Sequence, residues 1–276
     1  MNVLITGATG KVGSRLGQRL ATRGHQIRAL VRDTARARQM LGDGIELVEG
    51  DLLDTASLPI AVRGVDAVVH CAAFFRGATP EQASSVNDRG TQNLAHAARE
   101  ANVRRFVFTS TALVYGANGG NLARESDECA PTVAYPVSKL AAERFLLSVD
   151  GLDVRICRLP FVYGDGDAHV AEALPMMRTF PPAQRMTVAH HVDVAQAIAL
   201  VLEASAPAHR IYNVCDDEAP SYAELFASCG EPAPDGSTPE AARSFEALLD
   251  GRQLREDLGF RPTYPRFADA LAAGVA

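Results

Sequence analysis

Val3-Leu4-Ile5-Thr6-Gly7-Ala8-Thr9-Gly10-Lys11-Val12-Gly13 runs from an apolar, β-branched segment through three spaced glycines into a stretch where Val12, Leu16 and Leu20 recur at helical intervals. A strand that turns through glycine into a helix brings backbone close to a ligand. Gly7 and Gly10 let it approach a pyrophosphate, Gly13 lets the helix pack tightly, and the helix N-terminus faces the anion. Residues Gly7, Thr9, Gly10, Lys11, Val12 and Gly13 are therefore the expected dinucleotide loop.

Outward from this loop, short apolar runs alternate with amphipathic ones, the pattern of βαβ units and a parallel sheet. Strands are expected at Asn2 to Thr6, Gln26 to Val31, Ile45 to Glu49, Ala67 to Cys71, Arg105 to Thr109, Val154 to Arg158 and Arg210 to Val214. Several are apolar on both faces, as strands covered by helices on both sides must be. The expected class is α/β, a Rossmann-type doubly wound parallel sheet whose strand order reverses beside the first strand, with a smaller interleaved C-terminal substrate region. Beyond Pro160 the pattern is broken by Pro175, Pro181 and Pro182, and His191 to Leu202 reads as a helix returning to the sheet. This gives a dinucleotide core over 1–160, rejoined by 185–214, and a substrate region over 161–184 and 215–276.

Composition narrows the function. The chain has 276 residues, 47% hydrophobic and 22% charged, with a net charge of -6, and suits one sizeable α/β core. Arginines dispersed among acids argue against a nucleic-acid partner. Five separated cysteines without metal spacing point to a reduced, cytoplasmic setting. No signal segment or membrane-length apolar run is expected.

The second strand bears on the dinucleotide. An acidic residue at its end would bond a ribose 2′-hydroxyl, but Ile27 to Val31 runs into Arg32, which suits a 2′-phosphate. NADP(H) is favoured over NAD(H), with the adjacent Asp33 as the counter-signal. Downstream, Tyr135-Pro136-Val137-Ser138-Lys139 puts a phenol and an ammonium four residues apart on one helix face. The cation would lower the phenol's pKa and make Tyr135 a usable proton donor or acceptor.

Together these residues resemble the extended short-chain dehydrogenase/reductase family, which includes nucleotide-sugar epimerases and dehydratases, dihydroflavonol reductases and 3β-hydroxysteroid dehydrogenases. The resemblance runs through the glycine loop, Gly50-Asp51-Leu52, Val69-His70-Cys71-Ala72-Ala73, Asn87 with Gly90-Thr91, Thr109 to Gly116, Tyr135 to Lys139 and Arg158-Leu159-Pro160. It returns weakly in Leu254 to Tyr264. It implies that Asp51 and Leu52 touch adenine, that Cys71, Ala72 and Ala73 line the dinucleotide, and that Asn87 lies near the cofactor. Tyr135 would be the acid or base, Lys139 would bind the nicotinamide ribose, and Pro160 to Val162 would border the nicotinamide. The catalytic hydroxyl would be Thr111, with Ser110 as fallback. Hydride transfer to a carbonyl builds alkoxide charge, so one hydroxyl to hold it and one phenol to quench it make chemical sense. His190, His191 and Asp193 resemble a structural helix start in the family.

For the substrate, Met186 stands where nucleotide-sugar enzymes place a diphosphate-binding arginine, with Arg185 one residue off and so facing the other side of a strand. Phe161 replaces a family asparagine. Phe74, Phe75, Leu113, Phe161 and Tyr163, with Met176 and Met177 as either core or pocket wall, suggest an apolar pocket mouth. The expected activity is NADP-dependent reduction of a hydrophobic or aromatic ketone or aldehyde, or the reverse oxidation of a secondary alcohol. The alternatives are a nucleotide-sugar 4-epimerase or 4-ketoreductase using Arg178, Arg185 or Arg252, and a noncatalytic NADP sensor. A homodimer through the helices near 80–101 and 135–149 is the assembly the resemblance implies. Tyr135→Phe is expected to abolish most turnover while sparing cofactor binding, which steady-state assays and cofactor titration check together.

Overall fold

The apolar runs become strands because both of their faces are covered: Val3, Leu4, Ile5, Val68, Val69, Phe106, Val107 and Phe108 are all fully buried. The computed structural model describes residues 1–75, 77 and 79–276. In chain order the strands are β1 Asn2–Thr6, β2 Gln26–Val31, β3 Glu46–Glu49, β4 Ala67–His70, β5 Arg105–Thr111, β6 Leu122–Ala123, β7 Asp153–Leu159, β8 Phe161–Tyr163, β9 Val188–His190, β10 Ile211–Asn213 and β11 Leu248–Leu249. The principal helices are α1 Lys11–Thr22, α2 Thr34–Leu41, α3 Leu58–Val62, α4 Pro80–Ala83, α5 Gly90–Glu100, α6 Ala134–Leu147, α7 His169–Met177 and α8 His191–Glu203. A π-helical turn, Ser84–Arg89, joins α4 to α5.

The main sheet has the order β10-β7-β5-β4-β1-β2-β3, so β1 lies between β2 and β4, and the strand order reverses there as the sequence pattern requires. The pairs β1 with β2, β1 with β4, β2 with β3 and β4 with β5 are parallel. The expected doubly wound α/β class is the one observed, with two small parallel pairs besides, β8 with β9 and β6 with β11.

Contact density divides the chain into two compact units. The first holds Met1–Ser110, Val133–Cys157 and Val201–Ser205, and the second holds Thr111–Thr132, Arg158–Leu200 and Ala206–Ala276. The limits expected from sequence put 111–132 and 185–214 with the dinucleotide core, whereas by contacts 111–132 and most of 185–214 group with the second unit. Hydrogen bonding within that unit explains the difference. Arg158 Nη1 donates to the Tyr115 hydroxyl at 2.9 Å, that hydroxyl donates to Asn213 Oδ1 at 2.7 Å, and Asn213 Nδ2 donates to the Ala123 carbonyl. Asp193, fully buried on α8, accepts backbone N–H groups of Thr263 and Tyr264 and thereby pins the late segment in which the resemblance returned. The apolar core of this unit gathers Tyr163, Phe180, Tyr222, Phe226 and Phe267.

In the first unit, the C-terminal end of α8 is held by arginine. Arg155, 1% exposed, donates to the carbonyls of Val201 and Ala204 at 2.5 and 2.7 Å and is paired with Asp153, while Arg105 donates to the Leu202 carbonyl. Cations at the exposed carbonyls of a helix end satisfy orphan acceptors and the helix dipole together. Among the described residues no helix is long and apolar enough to cross a membrane. Arg155→Met leaves buried carbonyls without donors, so it is expected to lower unfolding stability by about 2–4 kcal/mol. A urea midpoint shift at unchanged slope measures this, and a loss below ~1 kcal/mol would remove the arginine clamp from the account.

Candidate active site

Whether a dinucleotide fits is decided at the glycines. Gly7 has a φ of +69°, and a Cβ there would lie 2.5 Å from the Ala72 nitrogen; a Cβ on Gly13 would lie 2.2 Å from the Gly7 carbonyl oxygen. Neither position admits a side chain. Gly10 is the N-cap of α1 and carries no side-chain cap, and the first turn has no acidic residue. The start of α1 thus presents uncapped N–H groups at its positive end, with Thr9, Gly10 and Lys11 exposed beside them and Val12 half-buried. The loop fits a pyrophosphate.

Thr6, just before the loop, begins a buried hydrogen-bonded chain within the first unit. Its Oγ1 meets His70 Nδ1 and accepts the Ala72 N–H at 3.3 Å, while His70 Nε2 meets Thr91 Oγ1 at 2.8 Å. Thr91 gives its single hydroxyl hydrogen to the Asn87 carbonyl at 2.6 Å, so its contact with His70 must be as acceptor. Hydrogen counting therefore assigns a proton to His70 Nε2, and in the neutral ring Nδ1 is left to accept from Thr6. Burial, helped by Lys139, pushes the imidazole well below its ordinary value, consistent with this neutral form. Asn87 continues the chain: its Nδ2 donates to Ser138 Oγ at 3.0 Å, and Ser138 donates to the Tyr135 carbonyl at 2.7 Å.

Asn87, expected near the cofactor, has its side chain tied within the protein. The residue is fully buried, both amide hydrogens are donated, to the Phe74 carbonyl and to Ser138, and its Oδ1 accepts the Phe74 N–H at 2.7 Å. It fastens the loop after β4 to α6. His70, Thr91 and Ser138 carry this connection, and sequence reasoning assigned them no such part. Three of its contacts, Thr6 with His70, His70 with Thr91 and Asn87 with Ser138, span 21 to 64 residues, and the one local signal was a histidine inside an apolar strand.

Tyr135 and Lys139 lie on one face of α6, as their spacing predicted. The Phe75 ring packs against the Tyr135 ring with centroids 4.6 Å apart, and Phe74 and Phe75 are 39% and 45% exposed, so the phenol has apolar company at the surface. Lys139 is 1% exposed, with its Nζ 3.8 Å from the centroid of the Phe108 ring. Burial pushes the lysine down to about 7, opposed by Cys71 and Glu143, so desolvation works against the cation read from sequence. Half-buried Cys71, followed by Ala72 and exposed Ala73, has its thiol pushed up to about 12 by burial.

At the other nucleotide end, Arg32 is exposed just past β2. Asp33 caps α2, accepting the Arg36 N–H at 2.9 Å. Its carboxylate has a structural task, which the sequence left undecided. Asp51 accepts the Leu53 N–H at 2.8 Å, and Leu52 is buried against Gly90, with its carbonyl accepting from Asn93.

Thr111 ends β5, and its Oγ1 accepts the Leu113 N–H at 3.3 Å, which leaves its hydroxyl hydrogen available. Ser110, in the first unit, is buried, with no hydrogen-bond partner for its hydroxyl among the described residues. In the second unit Leu113, Pro160 and Phe161 are half-buried and Val162 is buried, with its carbonyl accepting from His169. Phe161 stacks on His169 at 4.1 Å, and His191 Nε2 meets Asp167 at 3.0 Å. Tyr163 corrects another expectation: it is fully buried in the apolar core, its hydroxyl donating to Asp216 at 3.0 Å, and does not form a pocket mouth. Met177 is core and Met176 is exposed, which settles the alternative left open for the first.

Similarity to known proteins agrees with this geometry. The family model described as "NAD dependent epimerase/dehydratase family" matches residues 3–215. Among curated relatives, the 3β-hydroxysteroid dehydrogenase/Δ5→4-isomerase of Mycobacterium tuberculosis is 34% identical over 60% of this chain and 48% of its own length. Sterol demethylase protein B of Methylococcus capsulatus is 36% identical over 60% of this chain and 53% of its own. The matches thus span about half the length of these curated relatives. The solved structure of DesIV, a dTDP-glucose 4,6-dehydratase from Streptomyces venezuelae with NAD bound, superposes with a TM-score of 0.82 at 28% identity, covering 99% of this chain and 95% of that one. With the family model spanning most of the chain and the glycine loop, Tyr135 and Lys139 in the first unit, the protein belongs to the NAD-dependent epimerase/dehydratase family, the extended short-chain dehydrogenase/reductases.

Proposed function

We propose that the protein is an NADP(H)-dependent oxidoreductase that moves hydride between the nicotinamide and a hydrophobic or aromatic ketone or aldehyde, or the corresponding secondary alcohol. The observation that carries this reading is the packing of Phe75 on Tyr135, which sets an aromatic ring against that of the proton donor. The steroid and sterol names of the curated relatives point the same way. The three arginines considered for a diphosphate are each engaged within the second unit: Arg178 with Glu231, Arg185 with Glu218 and Arg252 with Asp250. Exposed pairs of this kind are weak, so a nucleotide sugar stands as the alternative, in keeping with the similarity to DesIV, a dTDP-glucose 4,6-dehydratase with NAD bound.

A bound reduced nicotinamide would supply the hydride, and the protein's part is to hold the reactants and move the proton. In reduction, Tyr135 gives its phenolic proton to the oxygen as the carbonyl carbon gains hydride, and Thr111 donates a hydrogen bond to that oxygen, with Ser110 as the second candidate. Lys139 would bind the nicotinamide ribose, and Gly7, Thr9, Gly10, Lys11, Val12 and Gly13 the pyrophosphate. Asp51 and Leu52 would meet adenine, Cys71 to Ala73 would line the dinucleotide, and Pro160 and Val162 would border the nicotinamide. Arg32 would pair with the 2′-phosphate, a choice supported by the engagement of Asp33 in capping α2.

Turnover of hydrophobic ketones with NADPH, without response to UDP or TDP sugars, is the expected outcome. Isomerisation of a sugar with no net cofactor consumption would move the protein to the epimerases, and binding without turnover would leave a sensor. Arg32→Ala is expected to raise KM for NADPH by about 10- to 100-fold and to change that for NADH little, because a charge-assisted contact is worth about 1.5–3 kcal/mol. Equal effects on both cofactors would reject the selector role.

Lys139 also predicts a pH dependence. Its folded value of about 7 lies below the ordinary value of 10.5, so between these the unfolded chain holds a proton that the folded chain lacks, and stability rises with pH. Below pH 7 both states are charged and the burial penalty is constant. Lys139→Met, melted without cofactor, is expected to gain most over the native protein near pH 6, with the gap closing toward pH 10. A gap independent of pH would show that the lysine is not desolvated.

A further inference from the structure

The chain has two lysines against 25 arginines, and both lie at the proposed dinucleotide site: Lys11 in the glycine loop and Lys139 on α6. Lys11 is exposed and Lys139 is buried. A buried ammonium needs a partner that survives the loss of water. The face of Phe108 lies 3.8 Å from its Nζ, well within the range of a cation–π interaction, which strengthens when the ion is desolvated. Phe108 has little freedom to move. It is fully buried on β5, stands in register beside His70 on β4, and the two rings lie 5.5 Å apart at 28°. His70 in turn is held at both nitrogens, by Thr6 and Thr91.

We propose that Phe108 is a positioning residue for Lys139: its ring face fixes the ammonium beneath the nicotinamide-ribose site and stabilises the charged lysine before any dinucleotide arrives. The inference rests on the role proposed above for Lys139. The titratable groups around the lysine act in different directions. From β4 and its following loop, His70 is kept neutral in part by Lys139, and the Cys71 thiol favours the ammonium; from α6, Glu143 one turn later favours it too, and Tyr135 lies one turn earlier. Burial opposes all of these and is the largest influence on the lysine. An aromatic quadrupole attracts a cation without the strong, directional acceptor that a carboxylate offers, so it competes only weakly with a ligand for the ammonium's hydrogens. A carboxylate in that place would occupy those hydrogens, and an aliphatic side chain would offer no attraction.

The test replaces Phe108 in the full-length protein by 4-fluoro- and then 3,4,5-trifluorophenylalanine, which keep the ring's shape and progressively drain its negative face. With lysine labelled at 13Cε, the apoprotein gives two signals, one from exposed Lys11 as an internal control and one from Lys139, assigned by its loss in Lys139→Met. The Lys139 midpoint is expected to fall stepwise, by about one pH unit with three fluorines, while that of Lys11 stays put. Phe108→Leu should repeat the shift if it folds, and the fluorinated rings answer the question if it does not. A Lys139 midpoint indifferent to fluorination overturns the proposal, even if Lys139→Met is inactive and the catalytic reading stands. A midpoint that falls while Lys139→Met retains full turnover supports the contact and instead removes the lysine from the reaction.

Discussion

The glycine loop of the first unit is positioned by one close approach, where the end of β1 turns at Gly7 against the Cys71–Ala72 backbone. The contact leaves no volume for a Cβ, and Gly13 repeats the constraint from the helix side against the Gly7 carbonyl. Two consequences follow from the same few atoms. The turn frees the start of α1 to face an anion, and it carries Thr6 to where its hydroxyl reaches both Ala72 and His70. The geometry that admits the phosphates thus also orders the protein interior behind them.

That interior order has a direction. Each hydroxyl in the chain Thr6, His70, Thr91, Asn87, Ser138 has one hydrogen to give, so once Thr91 donates to a carbonyl the tautomer of His70 is decided. Fully satisfied buried networks of this kind rigidify what they connect, whereas a missing member leaves a polar group stranded. Here they connect the glycine loop, the loop bearing Phe74 and Phe75, and the first turn of α6 with Tyr135. The side chain of Asn87 is spent on that task.

Most of the fold was legible in advance because it is written in local periodicity. All seven expected main strands appear, with ends displaced by at most two residues, and α8 begins at His191 as read. The Tyr135 and Lys139 pairing was equally legible, since four residues of helix put both on one face whatever surrounds them. The unit limits were harder to read. Residues 111–132 group with the second unit through Tyr115, Asn213 and the pairing of β6 with β11, contacts that no local pattern announces. Tyr163 misled because an aromatic next to a family motif reads as pocket lining, while its burial depends on Asp216, 53 residues away.

The sequence by itself determined the βα entry, the parallel doubly wound sheet and the residue types at the expected site, because glycine, β-branched and helical patterns act over a few neighbours. Tertiary structure alone decided how those groups are charged and which are free to act. Burial brings Lys139 down to about 7 and keeps His70 neutral, hydrogen counting fixes the tautomer of His70, Asp33 is taken by a helix cap and Asn87 by a loop. Protonation and availability depend on desolvation and on partners distant in the chain, and neither exists until the chain has folded.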